Sequence, residues 1–209
     1  MSHRHRSLIF PFALLGLFLG ACSSTRMEET WTAPEVGSIT FDKVLIIAAV
    51  PEGELRRTAE ETIRDAVPEG VEAVASYRHL PEANALVDRA YVESAADDMR
   101  ADGVVVLRPV ARLPQLEESP DPVSPLPPLE YRTFRDYYRD EWALTEFSAP
   151  LDLTQESLVA MEVNLYELPE GRLIWSGVTS SRSPDNLEEL VAEVAEAVRA
   201  RMVEQGLIP

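Results

Sequence analysis

Cysteine and histidine are scarce in this 209-residue sequence, and their scarcity excludes several kinds of site. Cys22 is the only cysteine, so no disulfide can form within the chain. His79 is the only histidine after Cys22, and no Gly-x-Ser-x-Gly sequence is present to supply a serine nucleophile beside it. A zinc site would need clustered histidines and cysteines. We therefore predict no catalytic residues, no metal and no cofactor.

Basic residues are also few, which excludes a second group of functions. Without Arg4 and Arg6, 17 basic residues stand against 36 acidic ones, a net charge of −19. Such a chain repels phosphates, so we predict no nucleic-acid partner. Adjacent acids occur at 60–61, 97–98, 117–118 and 188–189. Because neighbouring helical residues diverge by about 100°, they do not converge on one ion. We interpret them as solvated surfaces.

The N-terminus carries the most specific signal in the chain. Arg4 and Arg6 precede an apolar run over 8–19, and small residues follow, which is the order of a secretory signal peptide. The run contains Pro11 and is shorter than the roughly 20 residues of a membrane-spanning helix. Leu19-Gly20-Ala21-Cys22 resembles the bacterial lipobox. That resemblance implies cleavage before Cys22 and lipid on its sulfur and new amino group.

The lipobox sets the expected organisation of the chain. We expect a signal peptide over 1–21, a flexible tether over 22–37 and one domain over 38–209. The lipid anchor at Cys22 would make the membrane a partner. The residue after Cys22 is Ser23, whereas the usual inner-membrane retention signal of enteric bacteria is an aspartate at this position. By resemblance, Ser23 therefore points to the periplasmic face of the outer membrane. Trp31 is expected to pack on the edge of the domain.

Hydrophobic periodicity predicts an α/β fold. Short apolar or alternating runs predict strands near 43–50, 71–77, 104–112, 156–167 and 172–181. Apolar residues at helical spacing predict helices near 54–67, 86–101 and 185–204. Strand, helix, strand, helix and strand in succession indicate a parallel unit with right-handed crossovers. The last two strands form an antiparallel hairpin, and the final helix should pack on the sheet.

An insert over about 114–150 interrupts this pattern. Six of the fifteen residues at 114–128 are proline, which excludes a helix interior or a central strand. Six aromatic residues and several arginines follow at 131–147. Aromatic and arginine side chains are enriched at partner surfaces, so this segment is the candidate interaction surface. Helical spacing of its aromatics favours burial on the sheet instead, and both interpretations stay open. The candidate binding residues are Tyr131, Phe134, Arg135, Tyr137, Tyr138 and Trp142.

Several motifs together resemble an uncharacterised family of Gram-negative envelope lipoproteins. They are the lipobox, Trp31 with Pro34, and the segments at 41–46, 101–106, 163–166 and 171–176. The resemblance implies a small α/β sandwich, similar to the amino-terminal domain of TolB and to the lipoproteins that activate penicillin-binding proteins. Those relatives act by protein contact.

Two functions follow as hypotheses. The first is a lipid-anchored, non-catalytic module that binds an envelope protein or a peptidoglycan partner. The second is an envelope enzyme or small-ligand carrier whose site is assembled by the fold around His79. A deep apolar pocket with convergent polar groups near His79 would favour the second hypothesis.

Overall fold

The computed structural model describes residues 25–50, 53–80, 89–114, 157–182, 184 and 186–209, which form one mixed sheet with helices on both faces. The helices are α1 (Gly53–Ala66), α2 (Arg89–Met99) and α3 (Leu187–Glu204). The strands are β1 (Thr25–Thr32), β2 (Lys43–Ala48), β3 (Glu72–Ala75), β4 (Gly103–Pro114), β5 (Ser157–Glu167) and β6 (Arg172–Arg182). The predicted α/β class is confirmed, including the hairpin and the C-terminal helix on the sheet.

The sheet joins a parallel half to an antiparallel half. Its strand order is β1-β6-β5-β4-β2-β3. β2 pairs parallel with β3 and β4, so Val44 lies between Ala73 and Gly103. β4 then pairs antiparallel with β5, and β5 with β6. The continuous apolar sequence of β2 reflects its position, because a strand covered on both faces has no solvent side.

The hydrophobic core forms two layers, one on each side of the sheet. α1 and α3 cover one face, where Ala59, Leu190 and Val194 are almost fully buried. α2 covers part of the other face through Ala96 and Met99. Asn186 begins α3 by accepting a hydrogen bond from the amide of Glu189 at 2.8 Å. The apolar stripe of α3 covers the larger of the two core layers.

The expected flexible tether over 22–37 is wrong for Thr25–Thr32, which forms β1 at the edge of the sheet. β1 pairs antiparallel with β6, so Thr25 lies beside Ser181 and Trp31 beside Ser176. Met27 packs on one core layer and Trp31 on the other. The Thr25 hydroxyl also donates to Glu193 Oε2 of α3 at 2.7 Å. The folded domain thus begins by residue 25 rather than at 38, because the backbone of 25–32 pairs with β6 and its Met27 and Trp31 side chains pack on the core.

Candidate functional site

Two charged side chains are buried near the carboxyl ends of the parallel strands β2 and β3. Ligands of open α/β sheets bind at this edge, which makes it the first place to search for a site. Arg56 and Glu60 are 1% and 0% exposed. Glu60 Oε1 accepts from Arg56 Nε at 2.9 Å and from the amide of Ala48 at 3.2 Å. The interpretation of residues 60–61 as a solvated surface is therefore wrong for Glu60, because α1 turns it inward beside Arg56.

The other hydrogen bonds of this buried pair hold the loop after β3 in place. Glu60 also accepts from the Ser76 hydroxyl at 2.6 Å and from the Tyr77 amide at 2.8 Å. Arg56 donates to the Leu80 carbonyl at 2.8 Å and to the Ser76 hydroxyl at 2.7 Å. These bonds turn the chain into a 3-10 turn at Ser76–Arg78, so β3 ends two residues before the predicted strand end. The pair is a structural clamp, with its carboxylate and guanidinium engaged inside the protein.

His79 lies on the surface directly after this clamp. Its side chain is exposed, and its amide donates to the Ser76 carbonyl at 3.0 Å. The neighbouring Arg78 pairs with Glu61 at 2.8 Å and lies over the Tyr77 ring, 5.9 Å from its centroid. Within the described ranges, no three His, Cys, Asp or Glu side chains cluster in a way that could hold a metal. The part of the chain that the structure describes therefore places His79 on the surface, next to the Arg78–Glu61 ion pair.

A polar patch lies on the sheet face opposite α3. Glu162 is buried and pairs with Arg108 across β4 and β5. Asn164 and Ser176 face each other across β5 and β6, and both are buried. Neither Asn164 Oδ1 nor Ser176 Oγ has a hydrogen-bond partner among the residues that the structure describes. Buried polar atoms without partners are rare in folded proteins. Our sequence analysis missed this patch, although polar residues alternate there with the apolar face of β5.

An apolar cavity of about 300 Å³ lies between α1, α3 and the sheet. Its floor is formed by side chains of β4 and β5, including Val105 and Leu165. Its walls come from Ile63 of α1, Val198 of α3 and Phe41 of the segment before β2. Ligand sites are concave, mostly apolar spaces of roughly 300–1,000 Å³ with a few polar groups. This cavity is the candidate binding site among the described residues.

An acidic groove between α1 and α3 adjoins the cavity. Residues 66–69, Ala195 and Arg199 line both spaces, so the groove leads into the apolar interior. Its other polar residues are Thr62 and Asp65 of α1 with Glu188 and Glu196 of α3. Four carboxylates and one guanidinium therefore surround the entrance, which carries a net negative charge.

The sheet has two distinct ends, and the cavity lies toward only one of them. The near end is where β1 begins, with Thr25 beside Ser181 and with Pro114 paired to Ser157. The far end is where β2 and β4 begin, at Lys43 and Gly103. The cavity is lined by residues of the far end, including the 66–69 turn and the C-terminal Ile208 and Pro209. β1 runs from the near end at Thr25 toward the far end at Thr32. These seven residue steps span about 23 Å.

The remaining predicted site residues lie outside the described ranges. They are the lipidation site Cys22, the lipobox residues Leu19, Gly20 and Ala21, and the candidate partner-binding residues Tyr131, Phe134, Arg135, Tyr137, Tyr138 and Trp142. Among the helices that the structure does describe, none has the length and hydrophobicity of a membrane span.

Comparisons with known proteins give structural matches at low identity. No family model matches the sequence, and no curated protein matches it. One solved structure that does match is the PelC dodecamer from Paraburkholderia phytofirmans, at 13% identity and a TM-score of 0.39, covering 83% of this chain and 94% of that one. Another is the lipoprotein GNA1162 from Neisseria meningitidis, at 11% identity and a TM-score of 0.37, covering 78% of this chain and 98% of that one.

A variant of PelC in another crystal form matches with a TM-score of 0.40 at 11% identity. A lipoprotein is therefore among the solved structures to which this chain is similar. The comparisons assign the chain to no family. The resemblance to the family of envelope lipoproteins stays a prediction.

Proposed function

We propose that this chain is a lipid-anchored envelope protein whose domain is a non-catalytic binding module. Cys22 would carry the lipid, and the domain would face the periplasm from the outer membrane. The observation that carries the proposal is the apolar cavity, which is lined by residues of the far end of the sheet, away from the end where β1 begins.

The short distance between anchor and domain supports this orientation. Thr25 is the first residue of β1 and follows Cys22 by three residues. Three extended residues span at most about 11 Å, so the near end would lie close to the lipid headgroups. The far end and its cavity would then point into the periplasm.

The segment 131–147 remains a second proposed interaction surface. Its aromatic and arginine side chains are of the kinds that partner surfaces enrich. Pro114 and Ser157 pair directly, so the insert leaves and re-enters the sheet at one place on the near end. If this segment binds, its partner is an envelope protein or peptidoglycan close to the membrane surface.

Fractionation of envelopes tests the anchor. Cys22→Ser should leave uncleaved or unlipidated precursor, whereas the matched change Ser24→Ala should fractionate like the wild-type protein. Ser23→Asp should shift the protein toward the inner membrane. A Cys22→Ser protein that is processed and fractionates like wild type would contradict the proposal.

Crosslinking in whole envelopes tests the binding role. Photoreactive residues placed at the exposed positions 69 and 196, beside the cavity, should capture a partner or ligand, whereas one at exposed position 57 on α1 should not. The non-catalytic part of the proposal fails if the folded protein shows a turnover that His79→Ala abolishes.

A further inference from the structure

The cavity between α1 and α3 has the form of a site for a slender apolar group. Val105 is on an interior strand of the sheet, yet its side chain is only half-buried, because the cavity reaches it from the surface. Val44, Leu107 and Val163 continue the floor, and each belongs to a different strand. An occupant that touches them would lie between the sheet and the two helices α1 and α3. An alkyl chain fits a space of about 300 Å³, whereas a helix or a strand of a partner protein is too large for it.

The volume of the cavity limits the length of that chain. A methylene group fills roughly the same space as a water molecule in the liquid, about 30 Å³. A cavity of about 300 Å³ therefore holds about ten carbon atoms. This volume is too small for both chains of a phospholipid.

The charge at the entrance selects the headgroup. Glu69 and Arg199 stand where the groove meets the cavity, and Asp65, Glu188 and Glu196 line the groove beyond them. Arg64 offsets part of the charge of Asp65, to which it pairs at 2.7 Å. A carboxylate or phosphate head would meet more acids than bases there. A positively charged head is attracted, and the attraction is screened by salt because the entrance is exposed.

The geometry points to a single-chain cationic amphiphile as the ligand, with an alkyl chain of about ten carbons in the cavity and an ammonium head among the acids of the groove. This inference deepens the proposed binding function and rests on it for its biological setting. Cys22 precedes β1 at the near end, whereas the cavity belongs to the far end, so the protein's own lipid would have to extend along the length of β1 to enter it.

A chain-length series tests the inference in solution. The protein is the mature chain, residues 22–209 with Cys22→Ser, which contains every described strand and helix. Alkyltrimethylammonium ions of six to fourteen carbons, below their micelle-forming concentrations, are titrated by calorimetry. Each methylene should tighten binding about fourfold up to about ten carbons, after which affinity levels off. Affinity that rises without a plateau would mean surface adsorption and would overturn the inference.

Headgroup and cavity variants separate the two parts of the site. Alkyl sulfates of equal length should bind at least about tenfold more weakly at low salt, and the double change Glu69→Lys with Glu196→Lys should reverse this preference. Ala195→Phe should fill the cavity and weaken decyltrimethylammonium binding at least about tenfold, whereas Ala200→Phe on the exposed side of α3 should not. Unchanged binding to the filled variant, or equal binding of sulfates, would contradict the site.

These outcomes are independent of the anchor. If no amphiphile binds while Cys22→Ser still abolishes membrane attachment, the ligand assignment is wrong and the proposed anchor is unaffected. If binding follows the predicted series while Cys22→Ser fractionates like wild type, the ligand site stands and the proposed anchor falls. Should Ala195→Phe fail to fold, the double lysine variant decides the matter, since both of its positions are exposed.

Discussion

Replacing Arg56 with methionine would test the buried clamp most directly. Methionine keeps the apolar length of the arginine stem but removes the guanidinium. Glu60 would lose its charged partner while its carboxylate stays buried, still facing the amides of Ala48 and Tyr77. Leu80 would lose the donor that its carbonyl has at 2.8 Å.

The expected cost follows from the burial of both groups. Breaking a buried ion pair by removing one partner typically destabilises a protein by about 3–5 kcal/mol, because the other charge stays buried without compensation. Arg56 and Glu60 are 1% and 0% exposed, so we expect Arg56→Met to fall in this range. Arg64 on the same helix is the matched control. Its side chain is 29% exposed and pairs with Asp65 near the surface, so Arg64→Met should cost no more than about 1 kcal/mol.

Urea unfolding of the mature chain, followed by far-UV circular dichroism, measures both free energies. Completing the cycle with Glu60→Gln should show that the two changes are non-additive by at least about 1 kcal/mol, since each removes the same interaction. The reasoning is refuted if Arg56→Met lowers the free energy of unfolding no more than Arg64→Met does. Such a result would mean that water reaches the pair in solution.

Three further changes test the packing, each through the free energy of unfolding. Val194→Asp would bury an unpaired charge at a position that is 1% exposed, and should cost several kcal/mol; an unchanged melting temperature would contradict burial of the α3 stripe. Gly177→Ala should cost about 1–3 kcal/mol, because the new methyl group would overlap the ring of Trp175. Asn186→Ala should cost about 1 kcal/mol by removing the cap of α3, and a loss below a few tenths would mean the cap is not formed.

Most of the sheet and all three described helices could be predicted because their signals are local. β2 is marked by a continuous apolar run of a few residues, and α3 by an apolar stripe that repeats with each helical turn. The hairpin of β5 and β6 has its turn signal between the strands, at 168–171, where Gly171 adopts a positive φ of 65°.

β1 could not be predicted because its structure is set by distant residues. Its sequence mixes Arg26, Glu28 and Glu29 with few apolar residues, which locally favours a solvated segment. It becomes a strand because β6, about 150 positions later, offers an open edge. Glu60 was misread for a related reason. Its partners Ala48, Ser76 and Tyr77 come from two other segments, so sequence neighbours alone do not reveal its burial.

The candidate site was even less accessible to sequence analysis. The cavity is an empty space bounded by both the sheet and two helices, and no residue type marks it in the chain. The acids at 188–189 were correctly interpreted as exposed. Their position beside a cavity entrance depends on how α1 and α3 lie next to each other.

The pairing of the first strand with the last imposes an order of assembly. A chain that emerges N-terminus first presents 25–32 long before its partner, Arg172–Arg182, is available. Until then 25–32 has no strand edge to pair with. On the anchoring proposed above, cleavage and acylation would have the whole time of export to act. Pairing of β1 with β6 would then leave only three residues, at most about 11 Å of chain, between the lipid and the sheet.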